Sequence, residues 1–334
     1  MMKIAVTTFA LAVLAGAASA QQPVTLKFSS FEPPQAPITG GVFIPWAKDV
    51  TDASGGTLRI EVFAGGTLGR NPLQQLKLVQ DGVADMAWTV PGYTPGRFDD
   101  TEVVELPSIV ATAIEGSVAL TRMHAKGLLG GFDELKLLLI GTTPAFNIHG
   151  KLPMKSVADL KGKRLRTGSP QIAKLAEAVG AVPVQIGAPQ TAESLARGVI
   201  DGSLNEWNFV ATFKIDEVVS HHLVLPMGTV AVMVPMLRSR YDALPAPAKA
   251  ALEKYSGEAM ARRFGEVVDR TNAQTLERVA RSGKNTVVVP GPGEQEAWRK
   301  ATAAVTETWR KAKPGNERVY QALLDEVATA RSGK

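Results

Sequence analysis

Residues 160–207 read LKGKRLRTGSPQIAKLAEAVGAVPVQIGAPQTAESLARGVIDGSLNEW. The spacing predicts a short strand, a polar turn, a helix, a second strand, another helix and a third strand. Arg166 stands where the first strand meets a Gly/Ser/Pro turn, and Asn205 follows the turn-forming pair Asp201-Gly202. Strands lying side by side bring both side chains to one crevice. A guanidinium offers paired donors that match a carboxylate, and an amide adds a further polar contact. The expectation is a crevice that captures a small organic carboxylate without altering it. Two other readings stay open: a structural ion pair of Arg166 with Asp201 or Glu206, and a local turn cap for Asn205.

N-terminal to this stretch, residues 24–30 (VTLKFSS) alternate as a strand, and residues 38–53 carry Val42, Trp46 and Val50 at helical spacing. Leu58, Ile60 and Val62 alternate again, a helix spans residues 72–80, and residues 84–89 form a third strand. This β-α-β-α-β order favours a twisted, largely parallel sheet flanked by helices. The Pro/Gly-rich loop of residues 90–99 follows a strand directly, where such sheets place ligand-contacting loops. Trp88 and Tyr93 bracket it, and pocket and core roles are both open for them. A helix over 114–129 and strands over 135–143 and 145–149 lead to the first crossing between halves. Residues 228–237 (GTVAVMVPML) form an apolar strand that crosses back. Residues 247–281 read as one long helix able to brace both halves, followed by a strand at 285–289 and helices at 293–312 and 316–330.

Residues 1–20 (MMKIAVTTFALAVLAGAASA) carry one charge, an apolar run and a small-x-small end, the pattern of a cleavable secretory signal. Residues 21–334 suffice for two domains. Cysteine is absent, which removes disulfides, thiol nucleophiles and thiolate metal sites. The net charge of +5 is spread along the chain, too weak a bias for nucleic acid. His124, His149, His221 and His222 do not stand at metal-ligand spacing with carboxylates, so no metal is expected. No G-x-S-x-G, H-E-x-x-H or phosphate-loop pattern occurs, which weighs against a periplasmic hydrolase.

Five blocks in order carry a resemblance to a known family. They are Ser54-Gly55-Gly56-Thr57-Leu58 through Gly65-Gly66-Thr67-Leu68-Gly69, residues 76–86 (LKLVQDGVADM), Leu106-Pro107, residues 160–166 (LKGKRLR) and residues 198–205 (GVIDGSLN). In these the chain resembles the periplasmic solute-binding proteins of tripartite ATP-independent periplasmic (TRAP) transporters, of the dicarboxylate-binding DctP type. The resemblance implies an α/β fold, a two-domain periplasmic binding protein of type II-like form whose long helix spans both domains. Residues 21–144 with 229–268 would form domain I, and 145–228 with 269–334 domain II, the cleft lying between them. It implies that Arg166 pairs with the ligand carboxylate and that Asn205 lies in the cleft. It also implies a cofactor-free, monomeric binder in the periplasm serving one small and one large membrane subunit. A binding protein of an ATP-driven importer or a sensor is the alternative.

Two positions depart from the family pattern. Gly168 or Thr167 stands where Pro is frequent, which loosens the turn after Arg166. Leu237 stands where Asn is frequent, which makes the pocket more apolar. Phe146 lies on a strand that lines the pocket in similar proteins. With Trp88, Tyr93, Phe31, Trp207 and Phe209 it points to a monocarboxylate with an aromatic or apolar body, although core packing stays open for Trp207 and Phe209.

Overall fold

The computed structural model describes residues 22–333, so the expected signal peptide lies outside the described residues. Strands β1 (Val24–Ser29), β2 (Leu58–Phe63), β3 (Met86–Ala87) and β4 (Leu135–Thr142) build a first sheet. Strands β5 (Asn147–Gly150), β6 (Arg164–Thr167), β7 (Val182–Gln185), β8 (Gly202–Asn205) and β9 (His221–Leu223) build a second. The chain then returns: β10 (Ala231–Leu237) inserts into the first sheet and β11 (Thr286–Val288) joins the second. The strand orders are β2-β1-β3-β10-β4 and β11-β9-β5-β8-β6-β7.

Each sheet carries one antiparallel strand, and in each it is the strand that has just crossed over. β10 runs against β3 and β4, and β5 runs against β8 and β9. The two crossings lie side by side. Thr143 N donates to Val230 O (3.1 Å), Phe146 N to Gly228 O (2.7 Å) and Met227 N to Phe146 O (3.1 Å). These bonds tie the two crossings together, the arrangement a two-stranded hinge has.

Helices cover the sheets because each buries an apolar stripe. Around the first sheet lie α1 (Ile44–Ala53), α2 (Gln75–Gln80) and α3 (Ala113–Ala125). The second sheet carries α4 (Pro170–Ala178), α5 (Thr191–Ala196) and α6 (Trp207–Thr212). After β10 come α7 (Arg238–Asp242), α8 (Ala246–Tyr255), α9 (Gly257–Arg281), α10 (Pro292–Ala312) and α11 (Asn316–Arg331).

The expected single helix over 247–281 is two. Ser256 is extended (φ −108°, ψ −173°) and Gly257 is left-handed (φ 59°), so the chain turns before α9 starts. The remaining 25 residues still span about 37 Å. Helix α9 packs on α3 and β4 of the first half and on α6 of the second. Asp269 on α9 accepts from Ala113 N (2.7 Å) and Ile114 N (3.0 Å), capping α3, while Asn272 accepts from Trp207 N (2.8 Å) at the start of α6. One helix thus clamps the ends of two others.

The last helix departs from the expected division, which put residues 269–334 with the second domain. Helix α11 lies on α3, tied by Arg331 Nε to Glu115 Oε2 (2.8 Å) and by Lys126 to Glu326. Local periodicity predicted the helix, but its docking partner is a long-range choice made by packing.

The α3–α9 crossing depends on Gly265, where a Cβ would fall 2.3 Å from Ile114 Cα. Gly265→Ala is expected to cost about 1–3 kcal/mol by overpacking, read as a lowered melting temperature. An unchanged melting temperature would show that the helices separate freely.

Candidate functional site

The cavity between the halves forms where parallel strands end. In the second sheet β6 and β8 run parallel with Arg166 opposite Ser203, so Arg166 and Asn205 share one face at the carboxyl ends. In the first sheet Phe31 and Glu32 follow β1, and Trp88 follows β3. The antiparallel strands contribute from their starts, Val230 and Val232 at β10 and Phe146 before β5. All these residues line one cleft between the two halves.

Arg166 is 2% exposed. Its Nε donates to Ile186 O (3.0 Å), and its guanidinium carbon lies 4.9 Å from the centroid of the Phe209 ring. Among the described residues no carboxylate lies within ion-pair distance of it. Asp201 instead takes Arg164, with Nη2 to Oδ1 at 2.7 Å and Nε to Oδ2 at 3.1 Å. Glu206 feels the charge of Arg166 without forming an ion pair with it. A buried cation without a counter-charge is costly, and an incoming anion removes that cost. Gly168 makes room for it: a Cβ there would meet Nη1 at 3.2 Å. The departure from Pro at this turn therefore gives the guanidinium space.

Asn205 is fully buried, and its Oδ1 accepts from Ser203 Oγ. Its Nδ2 has no partner, so one donor on the cavity wall is unused. The Asn205 carbonyl is held by His149 Nε2 (3.1 Å). Tyr93 stands beside Arg166; burial raises its hydroxyl above the ordinary range, and the guanidinium works against that rise.

Phe31, Phe146, Trp88, Tyr93 and Phe209 all line the cleft, and Phe213 and Ile38 complete its apolar wall. Trp207 is a correction. It begins α6 on the helix face opposite Glu206 and Phe209, and it packs among His149 (4.8 Å between centroids), His222 and the apolar residues behind the second sheet. His149 and His222 share a hydrogen bond there (Nδ1 to Nδ1, 2.8 Å), and burial pulls His149 down to about 3. Among the described residues no group of three or more histidines and carboxylates is placed to hold a metal ion. Leu237 is a second correction. It sits at the far end of β10 beside Arg240 and Asp85, so it does not tune the cleft.

Two acids in the cleft escaped the sequence reading. Glu32 is 5% exposed and accepts from Trp88 Nε1 (3.2 Å) and Thr39 Oγ1 (3.1 Å). Glu206 is 4% exposed and caps α6 by accepting from Phe209 N (3.1 Å). Burial pushes both up to about 7, and the charge of Glu206 adds to the rise at Glu32. The signal for Glu206 was present, since residues 206, 209 and 213 recur at helical spacing and share one face of α6. Nothing local marked Glu32, because its carboxyl is set by tertiary contacts with Thr39 and the distant Trp88.

This arrangement can hold an anion on one guanidinium and one amide inside apolar walls. The chain matches the profile of the bacterial extracellular solute-binding proteins, family 7 (DctP), over residues 28–312. A TRAP solute-binding protein of an unidentified marine microbe, specific for aromatic acid ligands and solved with 3-hydroxybenzoate, superposes with a TM-score of 0.87 at 29% identity, covering 92% of this chain and 99% of that one. One from Rhodoferax ferrireducens, solved with copurified benzoate, superposes with a TM-score of 0.87 at 27% identity, covering 93% and 100%. The C4-dicarboxylate-binding periplasmic protein DctP of Rhodobacter capsulatus is 26% identical over 298 residues, 85% of this chain and 86% of its own. With a two-domain cleft of this form and a profile matched along most of its length, the chain belongs to the family 7 bacterial extracellular solute-binding proteins.

Proposed function

We propose that this chain is the periplasmic receptor of a TRAP transporter, capturing a small aromatic or apolar monocarboxylate and handing it unchanged to one small and one large membrane subunit. The observation that carries this reading is Arg166, buried under the Phe209 ring with no counter-charge of its own. Arg166, Asn205 and Tyr93 would hold the carboxylate, while Phe31, Trp88, Phe146 and Phe209 enclose its body.

A dicarboxylate fits poorly. Arg166 is the one cationic side chain among the described residues lining the cleft, and two acids already share the space with it. A second ligand carboxylate would meet Glu32 or Glu206 rather than a donor pair. The two solved relatives that hold aromatic acids support the aromatic choice.

Capture works through closure. The ligand drives it only by binding the closed form more tightly than the open one. Here Arg166 and Asn205 of the second half hold the carboxylate together with Tyr93 of the first, and the first half also supplies Phe31 and Trp88 to cover the body. A ligand at a hundredfold excess over its Kd stabilises by about 2.7 kcal/mol, several degrees for a protein of this size. Benzoate, 3-hydroxybenzoate and phenylacetate are therefore expected to raise the melting temperature in a thermal-shift screen. Succinate is expected to leave it in place. A shift with succinate and none with the aryl acids would reverse the choice of ligand.

A further inference from the structure

We propose that Glu32 is the specificity residue of the cleft, receiving a hydroxyl on the ligand's ring, so that the favoured ligand is a hydroxyaryl carboxylate and not the unsubstituted acid. This rests on the aryl-carboxylate reading and adds to it what lies at the other end of the ring.

Glu32 is an acid set in an aromatic wall, and its bonds to Trp88 and Thr39 leave it further hydrogen-bonding capacity. It lines the cleft among Phe31, Ile38 and Trp88. Its two oxygens are fixed by different donors, Trp88 Nε1 on Oε1 and Thr39 Oγ1 on Oε2, and Ser30 Oγ backs Thr39 at 2.8 Å. The carboxyl is thus held in place before any ligand arrives, which is what selective recognition requires. Burial keeps it an acid up to about pH 7, with one O–H to give and a lone pair still able to accept. A ligand hydroxyl both donates and accepts, so it satisfies this group in either protonation state. Trp88 and Thr39 take one lone pair on each oxygen, and a bare ring edge would leave the carboxyl's remaining proton or lone pairs facing hydrocarbon, where an unmet buried polar group costs about 1–3 kcal/mol.

Position in the fold adds a second argument. Arg166 belongs to β6 in the second sheet, whereas Glu32 follows β1 in the first. A ligand with a carboxylate at one end and a hydroxyl at the other makes polar contacts to both halves, so its hydroxyl contact exists only when the cleft is shut. Glu206 is a weaker candidate for this role. It adjoins Asn205 on the same side as Arg166, and its carboxylate already caps α6. An ammonium group is the competing occupant of this end, since its charge would draw the proton off Glu32 and pair with the carboxylate.

Isothermal titration at pH 7 with benzoate and with 2-, 3- and 4-hydroxybenzoate tests this. The unaltered protein is expected to bind the 3- or 4-isomer roughly tenfold to a hundredfold more tightly than benzoate. The 2-isomer should gain nothing, since its hydroxyl sits beside its own carboxylate. Glu32→Leu is expected to abolish the preference, bringing the ratio of the 3- or 4-isomer's affinity to benzoate's down to about one. Glu32→Gln, which keeps a donor and an acceptor in the same shape, should retain part of it. Equal affinities for benzoate and all three isomers in the unaltered protein would overturn the inference even if neither variant folds. So would a preference that survives in Glu32→Leu, or tighter binding of 3-(aminomethyl)benzoate than of 3-hydroxybenzoate. Benzoate binding without discrimination sinks only this inference; binding of none of these acids sinks the aryl-carboxylate reading and this inference with it.

Discussion

Arg166→Ala is expected to weaken binding of an aryl carboxylate by two to three orders of magnitude. Removing one partner of a desolvated charge pair costs about 3–5 kcal/mol, and each 1.4 kcal/mol is about tenfold in affinity. The upper part of that range applies here because the described cleft holds no second cation to take over. Stability should move the other way. In the empty protein Arg166 is 2% exposed and lacks a counter-charge, so its removal relieves a buried cation. The empty variant is therefore expected to melt at the same temperature as the parent or higher, while losing the shift that ligand produces. Arg166→Lys should fall between the two, since an ammonium keeps the charge but cannot present a planar fork to both carboxylate oxygens. Titration calorimetry and thermal melts on the same preparations separate the two effects. Affinity within threefold of the parent in Arg166→Ala would remove the guanidinium from the site.

Much of this could be read before any coordinates. The strands around Arg166 and Asn205 are marked by alternation and by turn residues, and strand parity alone puts both side chains on one face. The failures came where distance along the chain mattered. Trp207 and Phe209 look alike as aromatics after Asn205, yet a helix that starts at Trp207 sends them to opposite faces. Helical phase would have sorted them and pointed to Glu206 at once. Leu237 was placed in the cleft by family analogy, but β10 runs antiparallel to its neighbours, so its start and not its end reaches the cavity. A Ser-Gly pair marks the break at Ser256-Gly257, but the apolar period runs on either side of it and masks the turn. The docking of α11 on α3 and the burial of Glu32 depend on which surfaces meet, and no local pattern encodes that.

Affinity is expected to fall as pH rises from about 5 to 8 and to level off above about 8.5. The closed cleft holds Glu32 and Glu206, each pushed up to about 7 by burial, and Tyr93 and Arg166 beside them. A third acid, Glu105, lies between the halves: its Oε2 accepts from Ser169 Oγ at the cap of α4, its Oε1 has no partner, and burial pushes it up to about 8. Opening rehydrates all three and returns them towards the ordinary carboxylate value near 4.5. Between the open and closed values the closed form binds the extra protons, so closure takes up protons and each pH unit costs up to tenfold per group. Above the closed values both forms are ionised, uptake stops and the penalty is constant. The sign follows from charge balance. Arg166 and the ligand carboxylate already neutralise each other, so any further charge in the dry cleft is a carboxylate without a partner. A rise from about 4.5 to about 7 corresponds to about 3 kcal/mol per group. That makes this effect comparable to losing Arg166. Calorimetry of benzoate binding at pH 6 in buffers of different ionisation heat should register net proton uptake. Glu206→Gln, which cannot ionise and keeps the acceptor for Phe209 N, should flatten the pH profile. Affinity that is level from pH 5.5 to 7.5, with no buffer-dependent heat, would mean that these acids stay ionised in the closed cleft or never become dry.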